Sequence, residues 1–188
     1  ATPGDTITVT LPTGEVLTTV VAANGTWSVT PTQALPDGVA NVTVTATDPA
    51  GNTSAPTTLP VTIDTSAPAA PVAALAAASD SGTLGDGITS DNTPTLTGTG
   101  TPGDTITVTF PGGEVKTAVV DANGNWSVTP TTALPQGVNN LSVTATDPAG
   151  NVSPATALPI TIDTAAPAAP AAILNAASDS GAQGDSKT

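Results

Sequence analysis

The chain has 188 residues and carries 15 acidic side chains against two lysines, which gives a formal net charge of -13. It contains no Cys, His, Met or Tyr, whereas Gly occurs 18 times and Pro 19 times. Without imidazole and thiolate groups most general-base and nucleophilic chemistry is excluded, together with zinc and iron–sulfur sites, so we expect no enzyme. Two lysines cannot neutralise a phosphate backbone, and no apolar run approaches the roughly 18 residues of a spanning helix. Nucleic acid and direct membrane insertion are therefore not expected.

The first segment of the chain, TPGDTITVT at residues 2–10, recurs at residues 101–109. The same offset of 99 residues aligns 89 pairs of positions without a gap, and 64 of these pairs are identical. A period of this length is the size of one autonomous domain, whereas solenoid repeats have about 20–50 residues. The sequence therefore predicts tandem copies of one domain, which we call modules.

The 99-residue repeat divides the chain into three parts. Residues 90–99 occur in one copy only, so a whole module is expected at residues 67–165. Residues 1–66 correspond to a module that lacks its first strands, and residues 166–188 correspond to the start of a third module with a linker, a first strand and an acidic loop. The simplest interpretation is a segment of a longer tandem array.

Short runs of alternating apolar and polar residues lie between turn residues in the whole module, a pattern typical of half-buried antiparallel strands. The predicted strands are 69–77, 93–99, 105–110, 115–120, 126–129, 138–146 and 156–162. Pro68 and Pro71 interrupt the one Ala-rich stretch, which favours a linker and an edge strand over a helix. Seven short strands in about 100 residues predict an all-β, immunoglobulin-like β-sandwich.

The alternation also predicts which side chains form the core. The expected inward set is Leu96, Ile106, Val108, Phe110, Val119, Trp126, Val128, Leu141, Val143, Ala145, Leu158, Ile160 and Ile162. Trp27 aligns with Trp126 at the 99-residue offset, so we expect both tryptophans to pack in a core. The residues between the inward ones are mostly Thr, Ser and Asn, which should face solvent.

Alternating strand directions should gather the carboxylates at the two ends of a module. If the first strand runs away from the leading end, the loop 80–91 and the strand end at Asp163 lie together at the trailing end. The turns that contain Asp104, Asp121 and Asp147 then lie at the leading end. In an array, the trailing end of one module faces the leading end of the next.

Crowded carboxylates are unfavourable unless a cation lies among them, and a site made of oxygen ligands favours Ca²⁺. The sequence therefore predicts calcium at the module junctions. The candidate ligands are Asp64, Asp80, Asp86, Asp91, Asp163, Asp147, Asp48, Asp104, Asp179 and Asp185. An alternative is that Asp residues cap turns and keep the surface soluble; it is favoured for Asp5, Asp104 and Asp121 and stays open for Asp48 and Asp147.

Five motifs together carry a resemblance to a known family. They are DSGTLGDGITSDNTPTLTGT at residues 80–99, PGDTITV at 102–108, NGNWSVT at 123–129, ATDPAGN at 145–151 and IDTAAP at 162–167. The chain resembles the bacterial immunoglobulin-like extender repeats of giant RTX-type adhesins and biofilm-associated surface proteins. The resemblance covers the whole chain.

The resemblance implies a type I-secreted, extracellular fibre on the surface of Gram-negative bacteria, in which such modules hold an adhesive tip away from the cell. The partners would be the neighbouring modules of the same chain, with the adhesive target bound by domains elsewhere. It also implies Ca²⁺ at the junctions, with ligands at Asp64, Asp163, Asp80, Asp86 and Asp91. A self-assembling filament completed by strand addition and a glycan- or protein-binding module stay open as alternatives.

Overall fold

The computed structural model describes residues 1–171, and all regular elements in this part of the chain are β-strands. Residues 1–66, called the first copy below, contain β1 Thr6–Thr10, β2 Val16–Val20, β3 Gly38–Thr47 and β4 Thr57–Ile63. Residues 67–165, called the middle module below, contain β5 Val72–Leu75, β6 Ile88–Thr89, β7 Leu96–Thr99, β8 Thr105–Thr109, β9 Val115–Val119, β10 Asn125–Val128, β11 Gly137–Thr146 and β12 Thr156–Ile162. Over these residues no helix has the length and apolar character needed to cross a membrane.

The middle module is a sandwich of two sheets. One has the strand order β10-β7-β5, and the other has the order β6-β12-β11-β8-β9. All pairs are antiparallel except β6 with β12, which run parallel. Ile106 and Val108 on β8 are fully buried, whereas the three threonines that alternate with them are not, so the period-two pattern of the sequence is met in the structure.

All seven strands predicted for the middle module are present, although the predicted first strand, 69–77, is shorter in the structure and spans only Val72–Leu75. The prediction missed β6. A strand of two residues is too short to show any alternation, and β6 exists only because Ile88 and Thr89 pair with Thr161 and Ile162 of β12. Its presence is a consequence of the tertiary structure.

The predicted core is correct except at Val119, and Leu158 is only partly buried against it. Val119 is 65% exposed, whereas the next residue, Val120, is 2% exposed. Val119 pairs with Thr105, which lies on the outer face of β8, so the register turns Val119 outward as well. Leu134 in the loop between β10 and β11 also joins the core, and the strand pattern could not predict it.

The first copy forms one four-stranded sheet with the order β2-β1-β3-β4. Its small core contains Ile7, Val9 and Val42 among others. Here the prediction for Trp27 is wrong: Trp27 is 40% exposed, whereas Trp126 is 3% exposed. In the middle module β7 pairs with β10, which contains Trp126, and β5 pairs with the other edge of β7. Residues 1–66 contain no equivalents of β5 and β7.

Candidate metal sites at the module ends

Three of the predicted acids lie together at the leading end of the middle module. Thr105, the first residue of β8, pairs with Thr146 on one side and Val119 on the other. Asp104 directly precedes Thr105, Asp147 directly follows Thr146, and Asp121 lies two residues beyond Val119, so the three share one end of the sandwich, as the sequence predicts.

Asp147 caps its own turn. Its Oδ1 accepts the backbone N–H of Asn151 at 2.9 Å, and its Oδ2 accepts the Asn151 side-chain amide at 2.8 Å. The side-chain bond is the main reason why the pKa of Asp147 is lowered. Asp48 is held in the same way by Asn52 in the first copy, where the same contacts lower the pKa of Asp48.

Asp121 is also a turn residue. Its Oδ1 accepts the backbone N–H groups of Asn123 and Asn125 at 2.8 and 2.9 Å. The turn interpretation that the sequence favoured for Asp121 is what the structure shows.

Asp104 differs from the other turn acids because its side chain is buried. It is 3% exposed, and its Oδ2 has no hydrogen-bond partner within residues 1–171. The equivalent Asp5 is partly exposed and accepts the N–H of Thr2 at 2.9 Å. A buried carboxylate oxygen without a donor is unfavourable, and a cation or a water molecule would satisfy it.

The trailing end contains Asp163 and the last part of the long loop. The backbone N–H of Asp163 donates to the carbonyl of Thr89 at 2.8 Å, and Asp163 Oδ1 accepts the side-chain amide of Gln136 at 3.0 Å. Asp91 lies two residues beyond Thr89, and its carboxylate accepts Ser79 Oγ at 2.9 Å. This part of the predicted trailing end is confirmed.

Asp80 and Asp86 do not lie at the end of the module, contrary to the expectation for the whole loop. Together with Leu158, Pro159 and Ile160 they line a cavity of about 310 Å³ beside the middle of β12. The parallel pairing of β6 with β12 draws the loop along the flank of the sandwich.

Asp80 is the more buried of the two acids in this cavity, at 8% exposed. Its Oδ2 accepts the N–H of Gly85 at 2.6 Å, whereas its buried Oδ1 has no partner in the described part of the chain. Asp86 Oδ1 accepts the N–H of Ile88 at 2.9 Å. Two carboxylates therefore line the flank cavity, and one of them has a buried oxygen without a hydrogen-bond partner among residues 1–171.

Asp64, at the end of β4, lies where the two copies meet. Its backbone carbonyl accepts the side-chain amide of Asn151 at 3.0 Å, and its Oδ1 accepts the N–H of Ser66. The trailing end of the first copy thus contacts the leading end of the middle module, as head-to-tail modules should.

The predicted ligands do not form one cluster. Among residues 1–171 no three acidic side chains lie close enough together to hold a metal ion. Asp80 and Asp86 share a cavity, Asp104 and Asp147 share a module end, and Asp64 and Asp163 each lie at a strand end. Asp179 and Asp185 lie outside the described residues.

The family model for the bacterial Ig-like domain matches residues 1–65 and 67–164. The chain belongs to the bacterial Ig-like domain family. Comparison with curated protein sequences gave no match.

Several solved structures resemble this bacterial Ig-like chain. A Ca²⁺-stabilised adhesin that helps an Antarctic bacterium to reach out and bind ice is 34% identical, with a TM-score of 0.44 over 88% of this chain and 41% of that one. A tetra-tandem repeat from the extending region of a large adhesion protein is 25% identical, with a TM-score of 0.40 over 87% and 43%. A biofilm-associated protein is 23% identical, with a TM-score of 0.38 over 86% and 25%. The chain spans less than half the length of these three.

Sequence reasoning missed one pair of residues in these bacterial Ig-like modules. Asp37 and Gln136 occupy equivalent positions before β3 and β11, and each binds the start of the segment that follows its module. Asp37 accepts hydrogen bonds from Thr65 and Ser66, and Gln136 accepts them from Thr164. The only available signal was a polar residue before an equivalent glycine in both copies, which is too common to point to a function.

Proposed function

We propose that this chain is a structural spacer from a secreted bacterial cell-surface adhesin, in which Ig-like modules joined end to end hold an adhesive domain away from the cell. The head-to-tail contact between Asp64 and Asn151 carries this proposal, because end-to-end modules form a rod. The family match and the adhesin descriptions of the similar structures support it. The role is mechanical and non-enzymatic.

The proposed modules follow the sequence repeat. Residues 67–165 form a whole module, residues 1–66 correspond to a module that lacks its first strands, and residues 166–188 correspond to the start of a third. The segment between the first two contains Pro68 and Pro71, and proline-rich segments are semi-rigid spacers. A short, stiff linker of this kind limits bending between neighbours.

Calcium at the junctions and in the flank cavity is the second part of the proposal. The donors fit a hard cation: all are oxygens, and the buried Asp80 Oδ1 and Asp104 Oδ2 lack a partner among the described residues. Asp80 and Asp86 would hold the ion in the flank cavity. Asp104 and Asp147 would bind calcium at the leading end, and Asp64 and Asp163 would bind it at the strand ends. Further candidate ligands are Asp48, Asp91, Asp179 and Asp185. A bound ion would neutralise the carboxylates, and carbonyl groups, water or the adjoining module would complete its shell.

Small-angle X-ray scattering of the whole chain with excess EGTA and then with Ca²⁺ at about 10⁻³ M, the extracellular affinity regime, tests both parts. The spacer proposal predicts an elongated particle in both solutions, and the calcium proposal predicts a larger maximum dimension with Ca²⁺. A compact particle in both would contradict the spacer. An elongated particle with an unchanged dimension would contradict calcium at the junctions.

A matched pair of variants tests the flank cavity. Calcium at about 100 times its Kd should stabilise the middle module by about 2.7 kcal/mol. Asp80→Asn should lose most of this gain, because it removes the charge while keeping an acceptor for Gly85. Asp121→Asn is the control, since Asp121 binds its own turn, and it should keep the gain. Equal calcium stabilisation of both variants would contradict a site at Asp80.

One observation favours a filament as the second candidate function. Trp27 and Ile7 line an open face of the first sheet with a cavity of about 410 Å³, which strands from another chain could cover. Sedimentation equilibrium distinguishes the two functions: a filament subunit should associate as its concentration rises, whereas a spacer should stay monomeric.

A further inference from the structure

The segment between the two copies is hydrogen-bonded to the first copy at its start. Thr65 donates through its N–H and its Oγ to Asp37 Oδ1, at 3.1 and 2.7 Å, and Ser66 Oγ donates to Asp37 Oδ2 at 2.9 Å. These bonds, chiefly those of the two hydroxyl groups, hold the pKa of Asp37 below its ordinary value, so it is a charged acceptor at neutral pH. Asp37 immediately precedes β3, so the segment is tied to the body of the first copy.

The same segment is hydrogen-bonded to the middle module as well. Asn151 Nδ2 donates to the carbonyl of Asp64 at 3.0 Å, at the start of the segment. Thr156 Oγ donates to the carbonyl of Pro71 at 2.7 Å, at its end. Asn151 lies in the turn after β11, and Thr156 is the first residue of β12, so both donors belong to one end of the middle module.

The amide of Asn151 is oriented by its own turn. An amide nitrogen has two hydrogens, and Asn151 Nδ2 contacts both Asp147 Oδ2, at 2.8 Å, and the carbonyl of Asp64. The equivalent Asn52 makes the same turn contacts with Asp48, at 2.8 Å for both its backbone and its side-chain nitrogen. Each copy therefore sets the geometry of this turn by itself. The second hydrogen of the asparagine side-chain amide remains available for a carbonyl at a strand end.

We propose that Asn151 is a docking residue for the preceding module, which restrains the junction without a metal ion. In this arrangement Asp147 orients the amide, Asp64 supplies the carbonyl, and Asp37 and Thr156 fix the two ends of the linker. The partner surface is the trailing end of a module of the same kind. The inference rests on the proposed spacer role but not on calcium.

At the start of the next linker, Gln136 makes hydrogen bonds equivalent to those that Asp37 makes at the first linker. Gln136 Oε1 accepts the N–H and the Oγ of Thr164 at 3.2 and 3.0 Å, and Gln136 Nε2 donates to Asp163 Oδ1. An amide thus replaces the carboxylate of Asp37. Holding the start of a linker therefore needs a hydrogen-bond acceptor at this position, and the acceptor need not be charged.

Distances between spin labels on the two copies test the proposal directly. The chain contains no cysteine, so Thr18→Cys and Thr117→Cys place one label on β2 and one on β9, at equivalent exposed positions. Double electron–electron resonance is measured in excess EGTA for the labelled parent, for Asn151→Ala and for the matched control Asn52→Ala. Both alanine variants lose the same bonds within their turns, but only Asn151→Ala loses the bond to Asp64.

We expect distance distributions of equal width for the parent and for Asn52→Ala, and one about twice as wide for Asn151→Ala, because its linker loses a fixed point. Unchanged Trp126 fluorescence, measured in a Trp27→Phe background, would show that the middle module is still folded. Equal widths for all three proteins, whether narrow or broad, would overturn the proposal. Scattering with and without Ca²⁺ tests the spacer and calcium proposals separately, since the label measurement contains no calcium.

Discussion

Single carboxylates in this chain hold loops by accepting several hydrogen bonds each. Glu114 Oε1 accepts the N–H and the hydroxyl of Thr131, and its Oε2 accepts the N–H of Thr132 at 3.0 Å. Lys116 Nζ lies 3.3 Å from the same carboxylate. In the first copy Glu15 binds Thr32 in the same way, although Leu17 stands where the middle module has Lys116. Each Glu thereby attaches the segment that follows β10, or its equivalent, to the neighbouring hairpin.

The hydrogen bonds of Glu114 make its module sensitive to acid. The hydroxyl of Thr131 is the main reason why the pKa of Glu114 is lowered from 4.5 to about 2. A carboxyl whose pKa is depressed by folding stabilises the protein above its unfolded pKa, and this contribution is lost as the pH falls through the folded value. Between pH 4.5 and about 2 the thermal midpoint of Glu114→Gln should therefore fall less steeply than that of the parent.

Fluorescence of Trp126, measured in a Trp27→Phe background, reports this midpoint for the middle module. Glu15→Gln is the matched control, because it removes the equivalent carboxylate from the other copy and should leave the slope for the middle module unchanged. Identical slopes for the parent and Glu114→Gln would contradict the prediction.

At the scale of elements, the pairing of β5 with β7 leaves no room for a side chain at Gly98. A Cβ atom there would lie 1.8 Å from the carbonyl oxygen of Val72 and 2.7 Å from Cζ2 of Trp126. The indole of Trp126 thus lies against the backbone of Gly98, its cross-strand partner on β7, so this contact belongs to the smaller sheet.

We expect Gly98→Ala to lower the free energy of unfolding by about 3 kcal/mol, because a backbone carbonyl and a buried ring must both move. Gly100→Ala is the control: its nearest contact would be Val120 Cγ2 at 3.1 Å, a side-chain methyl that can shift, so we expect a loss of about 1 kcal/mol. Urea unfolding monitored by circular dichroism measures both. A loss for Gly98→Ala no larger than that for Gly100→Ala would show that β5 and Trp126 adapt.

At the scale of the whole molecule, the two copies have nearly the same sequence but different degrees of closure. Trp126 is enclosed between two sheets, whereas Trp27 lies on one open sheet. The difference arises because β5 and β7 come from residues 67–99, whereas residues 1–66 align only with residues 100–165. A second copy of this stretch placed before Ala1 should close the first sheet and enclose Trp27.

Acrylamide quenching tests this expectation with single-tryptophan variants. In the present chain the quenching constant of Trp27, measured in Trp126→Phe, should exceed that of Trp126, measured in Trp27→Phe. In the extended chain the constant of Trp27 should fall to that of Trp126. Persistent strong quenching of Trp27 in the extended chain would indicate that these strands do not complete the first module.

The repeat, the all-β class and the positions of seven strands followed from the sequence, because these depend on local periodicity and turn residues. Alternation also predicted which residues of most strands face the core. It failed at Val119 because the pairing with the neighbouring strand decides which residues face inward. The turn roles of Asp48, Asp121 and Asp147 are equally local, since their hydrogen-bond partners lie within four residues.

Only the tertiary structure decided which acids are buried and what joins the copies. Asp80 lies in a flank cavity because a two-residue parallel strand pairs with β12, and no local pattern encodes that pairing. Asn151 and Asp64 are separated by 87 residues in sequence and meet only when one module packs end to end with the next. Contacts of this kind depend on chain segments that are distant in sequence, so they appear only in the folded arrangement.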